Sequence, residues 1–451
     1  MQRVFNLVIA AHVLAYTSFF SIILVIVGGR KVYAIDVVFA FLVIGVLVAL
    51  TSSKPSDVWG RQHSTKVIAL LTGWGLFELA RGIPSFGLSA FGESRLLVLP
   101  ALFFFFVVAT YRQRSDLKKF IAFAGLVVCL MPLVRGALFY LLGGRAAFID
   151  QFSGSSILSA QASFRFIQAG EAALVSSVAV GLLMFAAQED ARRRRHGLML
   201  LATSLLIVIA IVQVRAAWVS AAVGMVLGSI LVRRFFRYAA VSVAVAVAAL
   251  AIAGPVGSRL GTSTGAEDKN HPGAITQGAR PPAGVTQRGR GPDAATRPGF
   301  QDSITYSAAF IRDPAADVTA AWRLVLWRQA LAAAREHPVI GQGLGGYWVN
   351  VGPNGAPVNQ MPHNGYLAVL VKLGGVGLAL FLMGATLWSM ELVRFIRHEP
   401  DPYYRLLGKT VAVTVVMSAT FAFFYDFTVA FWVLLGVGTV LVRGQSSAGP
   451  V

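Results

Sequence analysis

Residues 357–384 read PVNQMPHNGYLAVLVKLGGVGLALFLMG, and this stretch decides the fold. From Tyr366 onward it is apolar apart from Lys372, and the run is long enough for a helix to cross the roughly 30 Å hydrocarbon core of a bilayer. His363 and Asn364 stand just ahead of that run, after Pro362, so they are expected in the first turn of the span, at one membrane face. The rest of the chain has the same character. Of its 451 residues 56% are hydrophobic and 13% charged, with a mean hydropathy of +0.68, which excludes a string of soluble domains. The bilayer-length ruler predicts an all-α polytopic membrane protein of about twelve transmembrane helices. They fall near residues 5–28, 33–50, 67–83, 95–111, 119–142, 170–187, 197–214, 216–232, 238–254, 364–390, 405–424 and 429–443. The first is longer than a signal-peptide apolar core, with no small-x-small cleavage site after it, so it is expected to be a retained span.

A net charge of +19 would point to nucleic acid in a soluble chain. Its distribution points elsewhere. About half of the Lys and Arg residues lie near the termini or in alternate connections, namely SSKPSDVWGRQHSTK, YRQRSDLKK, QEDARRRRHG, VRRFFR and RFIRHEPDPYYRLLGK. The positive-inside rule makes these connections and both termini cytoplasmic, and no nucleic-acid partner is needed.

The expected organisation is transmembrane helices one to nine over residues 1–254, a large outer loop over 255–362, helices ten to twelve over 363–443 and a cytoplasmic tail over 444–451. Within the loop, 255–300 is rich in Gly, Pro, Ala and Thr without apolar periodicity and is expected to be flexible. Residues 313–337 carry a helical pattern, opened by Asp313-Pro314 and closed by Pro338 with Gly341, Gly343, Gly345 and Gly346. Trp322, Val325, Leu326, Gln329 and Ala330 share one face of that helix, which is expected to lie against the membrane mouth. Arg323 and Trp327 are i,i+4 neighbours on an adjoining stripe.

A charge inside a span costs several kcal/mol unless it meets a partner or water, so the basic residues that topology does not explain are candidate ligand-binding groups. Arg135 lies in LMPLVRGALFYLL, Arg215 in the tight outward turn VRAAW, Arg81 three residues after Glu78, and Lys372 inside the tenth span with Asp426 or Glu78 as its candidate partner. Arg165 belongs to an outward loop. Snorkelling or a structural ion pair is the competing account, most of all for Arg81. Several arginines near the outer face with few carboxylates nearby suit an anionic ligand, because the guanidinium fork matches phosphate oxygens. A diphosphate at the outer face points to the head group of a lipid carrier. The lone cysteine, Cys129, sits in an apolar run and offers no intrachain disulfide, CxxC metal site or redox pair.

The N–H groups at a helix N-terminus disfavour an imidazolium, so His363 is expected to be neutral at pH 7 and able to accept a proton from a hydroxyl. On position alone an ordinary interfacial histidine is the commoner account. The surrounding pattern adds to this. His363-Asn364, nine residues, then Gly374-x-x-Gly377 resembles the His-Asn-x(9)-Gly-x-x-Gly signature of the bacterial O-antigen ligase and O-antigen polymerase superfamily, whose members handle polyprenyl-diphosphate-linked glycans. Arg323-x-x-x-Trp327 followed by HPVIGQGLGGY is similar to that family's Arg-x-x-x-Trp…Pro-x-x-Gly-x-Gly pattern. Val214-Arg215-Ala216-Ala217-Trp218 resembles its arginine-containing turn, with Val214 where a serine often stands. The layout of spans with one large outer loop between the ninth and tenth resembles the family over essentially the whole chain.

The resemblance implies a GT-C-type, metal-independent, inverting membrane glycosyltransferase in the bacterial inner membrane. It would move a glycan from a polyprenyl (undecaprenyl) diphosphate donor to an acceptor hydroxyl on the periplasmic side, on lipid A core as a ligase or on a lipid-linked glycan as a polymerase. It maps the base to His363 and diphosphate binding to Arg215 and Arg323. Chemistry agrees: the anomeric bond to diphosphate is already activated, so the departing diphosphate must be stabilised, the acceptor positioned and its proton removed. Further substrate-binding candidates are Asn364, Arg135, Arg165, Arg81, Trp327 and Tyr347, with capping of the tenth span an equal role for Asn364. Gly374, Gly375 and Gly377 are expected to admit a neighbouring helix. No Asp-x-Asp pattern lies on a soluble loop to hold Mg²⁺ or Mn²⁺, so neither metal nor other cofactor is expected. A secondary transporter or lipid-linked glycan flippase using the arginine cluster is the alternative, although no internal repeat is visible. A peptidoglycan glycosyltransferase of the shape, elongation and division type would call for a loop carboxylate as base; Asp302, Asp313 and Asp317 are available but match no pattern.

Overall fold

Each apolar run from residue 62 onward folds as a helix in the computed structural model. It describes residues 23–27, 30–33, 43–45, 48, 51, 62–111, 114–141, 169–212, 214–262, 318–346, 350–351, 357–358 and 362–446. The helices are α1 (His63–Phe86), α2 (Leu88–Leu97), α3 (Ala101–Thr110), α4 (Arg114–Leu141), α5 (Ala169–Gln188), α6 (Arg192–Val212), α7 (Arg215–Leu231), α8 (Phe235–Thr262), α9 (Val318–Glu336), α10 (Gly365–His398), α11 (Pro402–Ala422) and α12 (Val429–Ser446). Six of these elements are long and apolar enough to cross a membrane: α1, α4, α5, α6, α10 and α11. Shorter apolar helices lie at α3, α7, α8 and α12. The protein is a polytopic, predominantly helical membrane protein.

Two of the expected spans change. The span expected over 5–28 does not continue as helix to its end, because Ile23–Val27 (β1) pairs antiparallel with Arg30–Tyr33 (β2), Val27 facing Arg30. Four β-branched residues in ILVIV favour the pleated state over helix. The span expected over 95–111 is broken at Pro100, which has no N–H to continue a helix from α2, so α3 starts afresh at Ala101. Residues 255–262, expected in the flexible part of the outer loop, instead continue α8 as helix to Thr262. Residues 263–317, including Asp313, lie outside the described residues, as do Arg165 and Tyr347 and the side chains of Arg135, Trp322 and Val325.

Two apolar clusters meet at α11. One gathers α3, α10 and α12 around Phe104, Phe106, Phe381, Trp388 and Phe431. The other packs α5, α6, α7 and α8 through small residues such as Ala179, Ala202, Ala217 and Ala221. Small side chains let backbones approach where lipid gives no hydrophobic drive for helix association. A Cβ on Gly224 would collide with Met417, and Ser220 donates to Met417 O at 2.8 Å, tying α7 to α11. At the end carrying the basic connections, Arg114 pairs with Glu399 at 3.0 Å, donates to Leu441 O at 3.0 Å and lies over the Phe395 and Tyr404 rings. Part of the charge bias assigned to topology therefore also fastens helix ends together.

The helix α10 is broken at Gly374, which has φ 69°. A break inside a span strands backbone groups where no water can serve them. Here the segment after α9 supplies the partners. Gln342 and Gly343 donate to Val371 O and Lys372 O (2.8 and 3.2 Å), and Gly375 and Val376 donate to Pro338 O and Val339 O (2.8 and 3.1 Å). The Trp74 indole N–H takes Leu373 O at 2.9 Å. This strap, 337–346, approaches so closely that a Cβ on Gly374 would strike the Val339 and Gly341 backbones. The neighbour that Gly374 and Gly375 admit is thus a loop, not the helix expected. Gly341, Gly343 and Gly345 have φ between 71° and 83°, a region that disfavours any side chain.

Two ion pairs clamp the strap. Lys372, 1% exposed, bonds the Glu93 carboxylate at 2.9 Å, and Lys372 also donates to Gly346 O. Glu93 in turn accepts from Gly345 N–H at 2.6 Å. Arg81 pairs with Glu78 and donates to Gly341 O at 3.0 Å. The partner of Lys372 is therefore Glu93, rather than the Asp426 or Glu78 considered from sequence.

Candidate functional site

Asn364 caps α10: its side-chain oxygen accepts from the Tyr366 and Leu367 amides at 3.1 Å each. His363 therefore stands one residue outside the cap, not in the first turn as expected. Its φ of 49° makes it the one non-glycine residue with positive φ among the described residues. A left-handed backbone conformation at a non-glycine residue costs of order 1–3 kcal/mol and persists only where surrounding contacts enforce it.

Those contacts come from α9. Leu326, Ala330, Ala333 and Ala334 bury against Val371, with Leu367 and Leu370 alongside, so α9 docks on the first turns of α10. This seats the Trp327 indole, which donates to Pro362 O at 3.0 Å and meets Phe423 edge-on at 5.3 Å. Pro362 is the residue before His363, so Trp327 fixes the chain at the point where the histidine emerges. One helical turn earlier, Arg323 lies over the Tyr425 ring at 5.0 Å. Tyr425 stacks on Phe421 (4.9 Å, 6°) and meets the His363 ring at 5.9 Å and 76°. Three segments distant in sequence thus converge: α9, the approach to α10, and the α11–α12 connection.

The electrostatics follow from this packing. Burial first, and the Arg323 charge second, lower the His363 pKa to about 4 from the usual 6.5, so the ring is neutral at pH 7. Burial raises the Asp426 carboxyl to about 6. Among the described residues its Oδ1 and the Arg323 Nε have no hydrogen-bond partner, and Arg323 has no salt bridge. A neutral ring nitrogen that can accept a proton therefore sits beside a guanidinium whose charge is held without being cancelled.

Arg215 is exposed at the first position of α7. The helices α7 and α11 run antiparallel, since Lys409 bonds Leu231 O and Ser220 bonds Met417 O. This puts Arg215 at the α11 end that carries Phe421 and Tyr425, and its neighbours Val214, Ala216 and Trp218 share one apolar cluster with Tyr425. Arg81, by contrast, is engaged in the strap. Arg135 lies on α4 with its side chain outside the described residues, together with Arg165 and Tyr347. No group of three or more His, Cys, Asp or Glu that could hold a metal ion occurs among the described residues. Sequence reasoning missed Tyr425 and Glu93. The signal for Tyr425 was a polar and aromatic pair, Tyr425-Asp426, in a short connection between two apolar spans.

Residues 197–382 match a family model described as O-antigen ligase, a segment that contains Arg215, Arg323 and the whole strap and His363 region. No curated protein matches the chain.

Proposed function

We propose, from the premise that this chain belongs to the O-antigen ligase-like family through its residues 197–382, that it is a lipid-diphosphate-dependent glycosyltransferase of GT-C type. It takes a glycan from polyprenyl (undecaprenyl) diphosphate and joins it to an acceptor hydroxyl on lipid A core, as a ligase, or on a lipid-linked glycan, as a polymerase. About twelve spans, cytoplasmic termini and a site facing the periplasmic side of the inner membrane belong to the same proposal.

The observation that carries it is the neutral His363 imidazole fixed beside the Arg323 guanidinium across Tyr425. His363 accepts the acceptor hydroxyl proton while that oxygen attacks the anomeric carbon. The bond from that carbon to the diphosphate oxygen breaks with its electron pair, and the leaving diphosphate is held by Arg323 and Arg215. Attack opposite the leaving group inverts the anomeric centre, and no metal takes part. The bound diphosphate also tunes the base: its negative charge offsets that of Arg323 and lifts the low pKa of His363 towards the range useful for proton abstraction. Asn364 and Trp327 support His363 through the cap and the Pro362 contact. Arg135, Arg165, Arg81 and Tyr347 are further substrate-binding candidates.

Transporters also use broken helices, whose freed backbone groups coordinate solute. In α10 the freed groups are taken up by residues 338–343 and Trp74, which favours transferase over transporter. The test is His363→Ala in membranes supplied with a polyprenyl-diphosphate glycan and either acceptor. Transfer should fall at least about a hundredfold, in line with loss of a general base, with donor binding retained. Undiminished transfer overturns the assignment.

A further inference from the structure

Arg323 is charged, half-buried and has no salt bridge among the described residues, yet it occupies a defined place. A carboxylate partner would hold it but would also neutralise the charge that an anionic ligand needs. An aromatic face holds a guanidinium through its quadrupole and leaves both the charge and N–H groups available. Tyr425 supplies that face, and its own position is set by the parallel Phe421 ring beneath the α11 terminus. The same ring abuts His363 at a steep angle, so one side chain fixes the spacing of guanidinium and imidazole. Tyr425 lies outside the residues matched by the family model and outside every motif in the sequence.

We infer that Tyr425 is a positioning residue for the transfer reaction: its ring face seats the Arg323 guanidinium for the donor diphosphate and sets its distance from His363. The inference rests on the transferase function proposed above. The ring face carries the role and the hydroxyl does not, so shape-preserving changes that drain the face of electron density test it without emptying the site.

The full chain in membranes is assayed with a polyprenyl-diphosphate glycan as Tyr425→Phe, then with mono-, di- and trifluorophenylalanine at the same position. Tyr425→Phe should lower kcat/KM no more than about threefold, and each added fluorine should lower it further, through a rising donor KM, to about tenfold or more. Tyr425→Leu should cost at least as much. In an Arg323→Ala background the Leu change should add little, because both changes remove one interaction. A flat fluorine series, a large loss in Tyr425→Phe, or additive losses in the double variant overturns the inference. Tyr425→Leu as active as the unaltered protein while His363→Ala is inactive overturns it alone. If His363→Ala and Arg323→Ala are both fully active, the proposed function fails and the inference with it.

Discussion

Replacing Lys372 by Met removes one half of an ion pair that is 1% and 8% exposed on its two sides. The Glu93 carboxylate then keeps the Gly345 N–H at 2.6 Å but loses the Lys372 ammonium that compensates its charge. Leaving one member of a buried pair uncompensated costs about 3–5 kcal/mol. The loss falls on the strap, since Lys372 also donates to Gly346 O and Glu93 receives Gly345. Local opening of residues 341–346 should therefore become on the order of a hundred- to several-thousand-fold more frequent, at about 1.4 kcal/mol per tenfold. Hydrogen exchange of the Gln342 and Gly343 amides, which donate to Val371 O and Lys372 O, reads this directly. The paired change Lys372→Met with Glu93→Gln removes both charges but keeps an acceptor for Gly345 N–H, so it should recover most of the protection. Protection within about threefold of the unaltered protein in Lys372→Met, or a double variant as labile as the single one, would refute the claim that this pair clamps the strap.

Three further outcomes follow from the same geometry. Gly374→Ala places a Cβ against the Val339 and Gly341 backbones at φ 69°, and should lower the thermal midpoint of the purified protein by the equivalent of about 2 kcal/mol or more. Gly73→Ala, which meets open space, should be neutral or stabilising, and equal effects of the two would contradict the account. The His363 ring, followed by its ¹³C shift, should titrate near pH 4, and Arg323→Gln should move the midpoint upward; a midpoint at 6.5 in the unaltered protein counts against the burial argument. Because the folded value is below the unfolded one, the His363 contribution lowers stability as pH falls from 6.5 to about 4. The raised Asp426 value acts in the opposite sense, lowering stability as pH rises from about 3.8 to about 6, so the bulk stability curve stays shallow where the two windows overlap. Arg215→Lys keeps charge but loses the fork, so donor KM should rise about tenfold in transfer assays; an unchanged KM speaks against diphosphate contact.

Much of the scaffold was legible because hydropathy is a local property. The runs 170–187 and 216–232 became α5 and α7 with each end shifted by one residue, and 364–390 became α10, which runs on to His398. The His363-Asn364 and Arg323-x-x-x-Trp327 patterns located two of the segments that meet. Where β-branching or a proline competed with the apolar count, as at Ile23–Val27 and Pro100, span length alone misled. The glycines were recognised as points of close approach, but their neighbour was misjudged because periodicity does not say what lies across a gap.

Composition and span length by themselves determined that this chain lives in a membrane and where most of its helices from residue 62 onward lie, and the short patterns around His363 and Arg323 named the residues to test. Each of those properties is read over a window shorter than one helix. Only the tertiary structure decided that Lys372 meets Glu93, that the strap fills the break at Gly374, and that Tyr425 stands between Arg323 and His363. Those contacts join residues from different helices, and their partners are chosen by which side chains fill a shared, water-poor space, a condition no single segment of sequence contains.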